Sequence, residues 1–396
     1  MTDNASTPKT TASVPFDRAF LDELLLRAGI DVLIVSSKHN IQYLMGEYRF
    51  FFFDQFDANG VSRYLPLLVY PRGRPEDALY VCHGLEEANE KELGKFWMDT
   101  VVAGTSVGAM DRAVEHLKRF GNGVRTVGLE RAFIPADAEE CLRLSLPNVQ
   151  IVDALKPLET LRARKSPTEL AYLREASERV VEAMLEVIGS HGAGTTKREL
   201  NDALRREEML RGLSFEYCLI ACGASFNRSP SNQPWQEGEI LSLDSGGNYR
   251  GYIGDLCRMA ILGEPDAELE DLLAEVDAVQ QAARSPIRPG TPAGEIVRIA
   301  EETRRKSPHV SHVDFVAHGM GLVTHEAPRL IGRGSFPYPP DHIETPLAEG
   351  MVISIETTLK HPSRGLIKLE DTLAVTREGW ESYGDTARGW NRASGP

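Results

Sequence analysis

The sequence predicts a two-domain α+β protein, with a smaller α/β layer domain over residues 16–160 and a hairpin-rich domain over 161–396. Three observations carry that reading. The chain's 396 residues exceed what one hydrophobic core usually serves. Its first part alternates short apolar runs with helical periodicity, the pattern of helices layered on a sheet. A basic, polar stretch, Leu161-Arg-Ala-Arg-Lys-Ser-Pro-Thr-Glu169, then opens a long helical pattern and marks the boundary.

Residues 1–15 are polar and Thr/Ser-rich and read as a flexible terminus. Asp17–Ala28 carries apolar residues at helical spacing, and Val32–Val35 is a short buried-strand run. Further strands are expected at Leu65–Tyr70, Ala78–Cys82, Val124–Leu129 and Val149–Val152, with helices near Leu85–Lys95 and Val107–Arg119. Past the boundary, Ser166 with Glu169 three residues on, and Pro167 at the first helical position, start a helix that runs through Ile188. Thr196 and Glu199 repeat the capping spacing for a second helix. Beyond residue 210 strands and turns dominate, interrupted by helical patterns at Ala267–Ala283 and Ala293–Lys306.

Lys and Arg total 44 against 58 Asp and Glu, a net charge of −14. That excess opposes phosphate-backbone binding, because no counterion release would drive it, so no nucleic-acid partner is expected. No apolar run approaches the roughly twenty residues a bilayer span needs, and the start lacks the hydrophobic core of a secretory signal. No membrane association is expected either. The five cysteines are odd in number and show no paired framework, which points to reduced thiols and a cytoplasmic protein.

The chemistry lies in two hairpins. Ile240–Asp244 reads as a strand entering a turn through Ser245-Gly-Gly-Asn-Tyr-Arg-Gly-Tyr252, with Ile253–Ile261 as the return. A turn centred on Tyr249-Arg250 sets Asp244 opposite Asp255, at about 4.5–5.5 Å between Cβ atoms. Met351–Thr357 and Leu366–Val375 form the second hairpin, and a turn centred on Ser363 sets Glu356 opposite Glu370. Between them lies AHGMGLVTHEAP (317–328), with His318 and His325. Taken singly, each carboxylate reads as well as solvated surface, and each histidine as a hydrogen-bonded one. Together, four carboxylates and an imidazole are a hard, oxygen-rich ligand set that suits a pair of Mn, Fe, Co or Zn ions. Two metals roughly 3.5–4 Å apart make a hydroxide nucleophile available near neutral pH.

The order Asp, Asp, His, Glu, Glu resembles the pita-bread metallopeptidases: methionine aminopeptidase, aminopeptidase P and prolidase. The strings LDSGGNYRGYIGD (243–255), AHGMGLVTHEAP (317–328), EGMVISIE (349–356) and KLEDTLAVT (368–376) carry the resemblance. The first 160 residues are more loosely similar to the creatinase/prolidase-type N-terminal domain. The resemblance implies that Asp244, Asp255, His318, Glu356 and Glu370 ligate two divalent metal ions, with manganese one of the candidates. It implies that Asp255 and Glu370 bridge them, that Glu356 takes the proton from the attacking water, and that His325 steadies the tetrahedral intermediate. A dinuclear Xaa-Pro dipeptidase or aminopeptidase acting on short peptides, and a homodimer, are the corresponding expectations.

Three positions depart from that pattern. Ser231 stands where peptidases of the group usually carry a histidine after proline, Lys368 replaces the usual arginine, and Cys257 replaces the usual threonine. Two alternatives therefore stay open: a metal-dependent hydrolase or lyase of a small non-peptide substrate (creatinase-like or dimethylsulfoniopropionate lyase-like), and a non-catalytic pita-bread binding protein. The intact ligand set disfavours the second. Ser231, His325 and Lys368 are the expected substrate contacts. The run Arg49-Phe-Phe-Phe-Phe-Asp-Gln-Phe56 reads either as core packing or as an aromatic lid contributed by Phe51 and Phe53. Trp235 is a further candidate for the pocket lining, and His83 reads as a cap.

Overall fold

The computed structural model describes residues 13–55, 62–330 and 339–393, so residues 1–12 of the expected terminus, and Phe56, lie outside the described residues. The chain divides into two compact units, Met1–Leu161 and Arg162–Pro396.

The first unit contains strands β1 (Val32–Val35), β2 (Leu67–Pro71), β3 (Leu79–Cys82), β4 (Asp99–Val102), β5 (Thr126–Leu129) and β6 (Gln150–Asp153). They form one sheet in the order β4-β3-β2-β1-β5-β6. Its helices are α1 (Arg18–Arg27), α2 (Lys38–Leu44), α3 (Gly84–Leu93), α4 (Ser106–Lys118) and α5 (Ala136–Ser145), and α6 (Leu155–Arg162) follows. Leu33, Val35, Leu68 and Tyr70 pack with Leu21, Leu25, Ile41 and Leu44. Val32, Ile34, Leu67 and Val69 pack with Met110, Ala113, Leu117 and Leu142. The sheet is thus covered on both faces, which is why its inner strands read as unbroken apolar runs rather than alternating ones. His83 caps α3 in a reciprocal capping box with Glu86.

The aromatic run belongs largely to this core. Phe53 has 0% of its surface exposed and packs among Phe50, Tyr48 and Tyr64, so within its unit it has no surface to offer a substrate. That corrects the expectation of a lid at Phe53, because burial of an aromatic ring outweighs any exposed role. Phe51 alone of the pair is open, at 73% exposure. Beneath the cluster, buried Glu86 accepts hydrogen bonds from the hydroxyls of Tyr48, Tyr64 and Tyr80.

The second unit contains β7 (Ser214–Cys222), β8 (Ile240–Tyr249), β9 (Tyr252–Leu262), β10 (Val313–Gly319), β11 (Glu326–Arg329), β12 (Val352–His361), β13 (Gly365–Val375), β14 (Trp380–Tyr383) and β15 (Asn391–Ala393). Its main path runs β11-β10-β12-β13-β9-β8-β7, with β14 against β13 and β15 against β9. Helices α7 (Pro167–Ser190), α8 (Lys197–Leu210), α9 (Ala267–Arg284) and α10 (Gly294–Arg304) complete it. Both predicted capping boxes form, Ser166 with Glu169 and Thr196 with Glu199. Leu241, Leu243 and Leu256 pack with α7 and α8, whereas Ile353, Ile355 and Leu373 pack with α9 and α10. Residues alternating with these point to the opposite face, where Ile240, Met259 and Ile261 pack with α9 in a further core cluster and Asp244, Asp255, Glu356 and Glu370 bring polar groups. Trp235 is fully buried in this core, with its ring N–H donating to the Glu239 carbonyl, and does not line a pocket. All five cysteines are free. Among the described residues no helix is long and apolar enough to cross a membrane.

Candidate metal centre

The second hairpin forms in the expected register, with Glu356 directly opposite Glu370 and His361 opposite Gly365. The first does not. Asp244 pairs with Cys257, and Asp255 pairs with Gly246. The turn contracts to Arg250-Gly251, both at positive φ (54° and 97°), which is the two-residue hairpin turn matched to strand twist. Ser245 through Tyr249 therefore remain strand, and the glycines read as turn residues serve close approach instead. A Cβ on Gly246 would meet the Tyr217 ring at 2.5 Å, and one on Gly247 the Val180 side chain at 2.6 Å. The shift moves the pair to diagonal positions yet keeps both carboxylates on one face, since side chains two residues apart along a strand project alike.

On that face, Asp255, His318 and Glu370 bring ligand atoms within 4.8 Å of one another, all buried. His318 Nδ1 lies 3.2 Å from the Gly319 carbonyl oxygen; donating there leaves Nε2 as a lone pair directed toward Glu356 Oε1 at 3.7 Å and Glu370 Oε1 at 3.8 Å. Among the described residues, Asp255 Oδ1 and His318 Nε2 are buried polar atoms without a hydrogen-bond partner. Two orphaned acceptors in one buried cluster are costly unless a cation satisfies them, so this donor set fits a divalent metal.

Lys368 stands among the remaining carboxylates. Its ammonium donates to Asp244 Oδ2 at 2.5 Å and Glu370 Oε2 at 2.7 Å, and pairs with Glu356 Oε2 at 2.6 Å. Arg228, in the loop between β7 and β8, also donates to Asp244 Oδ2. Burial and the neighbouring Asp244 charge push Asp255 up to about 8, and burial with Asp255 drives Glu370 well above the usual carboxylate range. Glu356 goes the other way. Burial would raise it, but the Lys368 ammonium outweighs that and holds it at about 2. His325 stacks on His318 at 3.8 Å between ring centroids, and burial with that neighbouring ring lowers it to about 3.

Ser231 lies in the loop before β8, where its hydroxyl accepts from the Gln233 N–H. Two residues at the site went unread in the sequence. Arg228 gave no periodic signal, as it lies in an irregular loop. Tyr217 lies opposite Gly246, itself opposite Asp255, and hydrogen-bonds the Asp255 carboxylate across the glycine. The mid-strand glycine, read as a close-approach site, is the signal that could have found it.

Next to Asp244, the Ser245 hydroxyl donates to Glu208 Oε1 at 2.8 Å, and burial pushes the Glu208 carboxyl up from 4.5 to about 8. The folded chain therefore keeps a proton that the unfolded chain has lost across that window, and stability falls as pH rises through it. Glu208→Gln should be more stable than the parent by on the order of 1–3 kcal/mol at pH 8, and equal to it at pH 4. Paired denaturant titrations at the two pH values check this; a pH-independent difference contradicts it.

A buried carboxylate–imidazole cluster on one face of an antiparallel sheet defines a hard-cation site. The chain belongs to metallopeptidase family M24, whose profile matches residues 171–377, and the creatinase/prolidase N-terminal domain profile matches residues 18–164. It thereby joins a two-domain pita-bread architecture. It is 23% identical to the Xaa-Pro dipeptidase of Pyrococcus horikoshii over 375 residues, covering 92% of this chain and 96% of that protein. It is 27% identical to the probable dipeptidase PepE of Mycobacterium tuberculosis over 365 residues, covering 89% of each. The solved prolidase structure from Pyrococcus horikoshii OT3 shares the fold at a TM-score of 0.76 and 21% identity, over 93% of this chain and 98% of that one.

Proposed function

We propose that the protein is a metal-dependent peptidase of Xaa-Pro type, acting on a dipeptide or short peptide. The observation that carries the reading is the buried cluster of Asp255, His318 and Glu370, in which Asp255 Oδ1 and His318 Nε2 are unpartnered. A divalent ion there would supply Lewis acidity, polarising a carbonyl and acidifying water. Asp255, His318 and Glu370 would hold it, with Glu356 alongside. Glu356, its Oε1 3.7 Å from His318 Nε2, is the carboxylate placed to accept a proton from water. His325 is kept neutral at working pH, so it can donate a hydrogen bond to a developing oxyanion without carrying charge. The names of the relatives support proline as the recognised residue.

Ser231 and Lys368 favour a second reading, a small non-peptide amide, guanidino or sulfonium substrate, because a histidine donor to the peptide carbonyl is missing. Mn- or Co-loaded protein assayed against a panel of Xaa-Pro dipeptides and longer Xaa-Pro-led peptides separates the two. The expected result is turnover of at least one Xaa-Pro dipeptide that disappears with chelator. Turnover of none of them rejects the peptidase reading.

A further inference from the structure

We infer that this protein binds a single divalent cation, at Asp255, His318 and Glu370, and that the Lys368 ammonium takes the place of a second one beside Asp244. The inference rests on the metal-dependent reading above and specifies the site's stoichiometry.

Five potential ligands are present, but their atoms separate into two groups. Asp255, His318 and Glu370 face one another with two buried atoms unpartnered. Asp244 is turned to cations the chain itself provides. Its Oδ2 accepts from both Lys368 and Arg228, so the oxygen a second metal would need is already committed twice. Lys368 also engages Glu356 and Glu370 through the oxygens Oε2; their Oε1 atoms lie on the His318 side, where that of Glu370 accepts one neutral hydrogen bond, from the Ser354 hydroxyl, and no cation. An ammonium surrounded by three carboxylate oxygens at 2.5–2.7 Å satisfies the same charge requirement as a bound ion.

The lysine has no alternative place. It projects from β13 on the same face as Glu370, two residues away, and is 2% exposed. Moving its charge away to admit a metal would cost it its three carboxylate partners, and leaving it would set two cations against each other in a buried site. The lysine charge is compact, and its stem ends among the three carboxylates.

The test is metal content. Protein stripped with chelator and dialysed against Mn(II) is analysed by plasma mass spectrometry, and the ion's environment by electron paramagnetic resonance. The expected result is about one equivalent with the hyperfine pattern of an isolated ion. Asp244→Asn should retain that equivalent, whereas Asp255→Asn should lose it. Lys368→Met, which keeps the stem and removes the charge, should rise toward about two equivalents with an exchange-coupled spectrum. Two equivalents in the parent protein, or loss of metal in Asp244→Asn, overturns the inference and leaves metal dependence intact. Lys368→Met remaining at one equivalent while folded overturns the role given to the lysine. No bound metal in the parent overturns both readings. Should Lys368→Met fail to fold, the parent and Asp244→Asn decide the matter.

Discussion

Asp255→Asn should abolish peptide hydrolysis while making the metal-free protein more stable. Asp255 is 4% exposed, bonds Tyr217, has one oxygen unpartnered and clusters with His318 and Glu370. Losing its charge removes a ligand from the candidate centre. A drop in kcat/KM of at least about 1000-fold, or roughly 4 kcal/mol in the barrier, is expected on any Xaa-Pro dipeptide the parent cleaves. In the absence of metal the same charge is a liability, because burying like-charged carboxylates together opposes folding. Calorimetry in chelator should therefore show the variant more stable by on the order of 1–2 kcal/mol. With Mn(II) added the order should reverse, since only the parent gains binding free energy on folding. A variant that is inactive and also less stable in chelator contradicts the account of Asp255 as a ligand whose buried charge is costly without a cation, and makes it a structural residue.

Asp371→Asn should have the largest effect on stability, a loss of about 3–5 kcal/mol, because it strands buried positive charge. Asp371 follows Glu370 in β13 and so points to the opposite face. There its carboxylate meets Arg258 at 3.2 Å, Arg284 at 3.1 Å and Arg388, and it accepts from Gln280 at 3.0 Å. Arg258 is fully buried and also donates to the carbonyls of Cys257, Glu370, Gly384 and Thr386. Those bonds tie β9 to β13, the strands that carry Asp255 and Glu370. Burial works to raise the Asp371 carboxyl, but Arg258 and its two companions win and hold it below 3.8. Its contribution is thus present above pH 3.8 and is lost as pH falls through the lower native value. Urea titration at pH 7 measures the predicted loss; a change under about 1 kcal/mol would mean the arginines find other partners.

Much of the frame was legible because it rests on short-range signals. Val32–Val35, the capping boxes at Ser166 and Thr196, and the hairpin carrying Glu356 and Glu370 each depend on residues within a few positions of one another. The departures arose where a distant element decided. Gly246 and Gly247 carry ordinary turn chemistry, and only the proximity of Tyr217 and Val180 shows that they are strand glycines admitting close packing. That packing lengthened the first hairpin and set Asp244 against Cys257. Likewise Phe53 was ambiguous until its neighbours Tyr48 and Tyr64 placed it in a core.

By itself the sequence determined the kind of site: which residue types recur, in what order, and that two hairpins bring like charges to one face. Alternation along a strand and the chemistry of carboxylate and imidazole are local properties, so they survive a register error. The tertiary structure decided which of those groups face each other. It gathered Asp255, His318 and Glu370 into one cluster and set the ammonium of Lys368 and the guanidinium of Arg228 against Asp244. Electrostatic partnership depends on distance and burial, neither of which is a property of sequence separation, and so the cation that answers Asp244 emerges only from the folded chain.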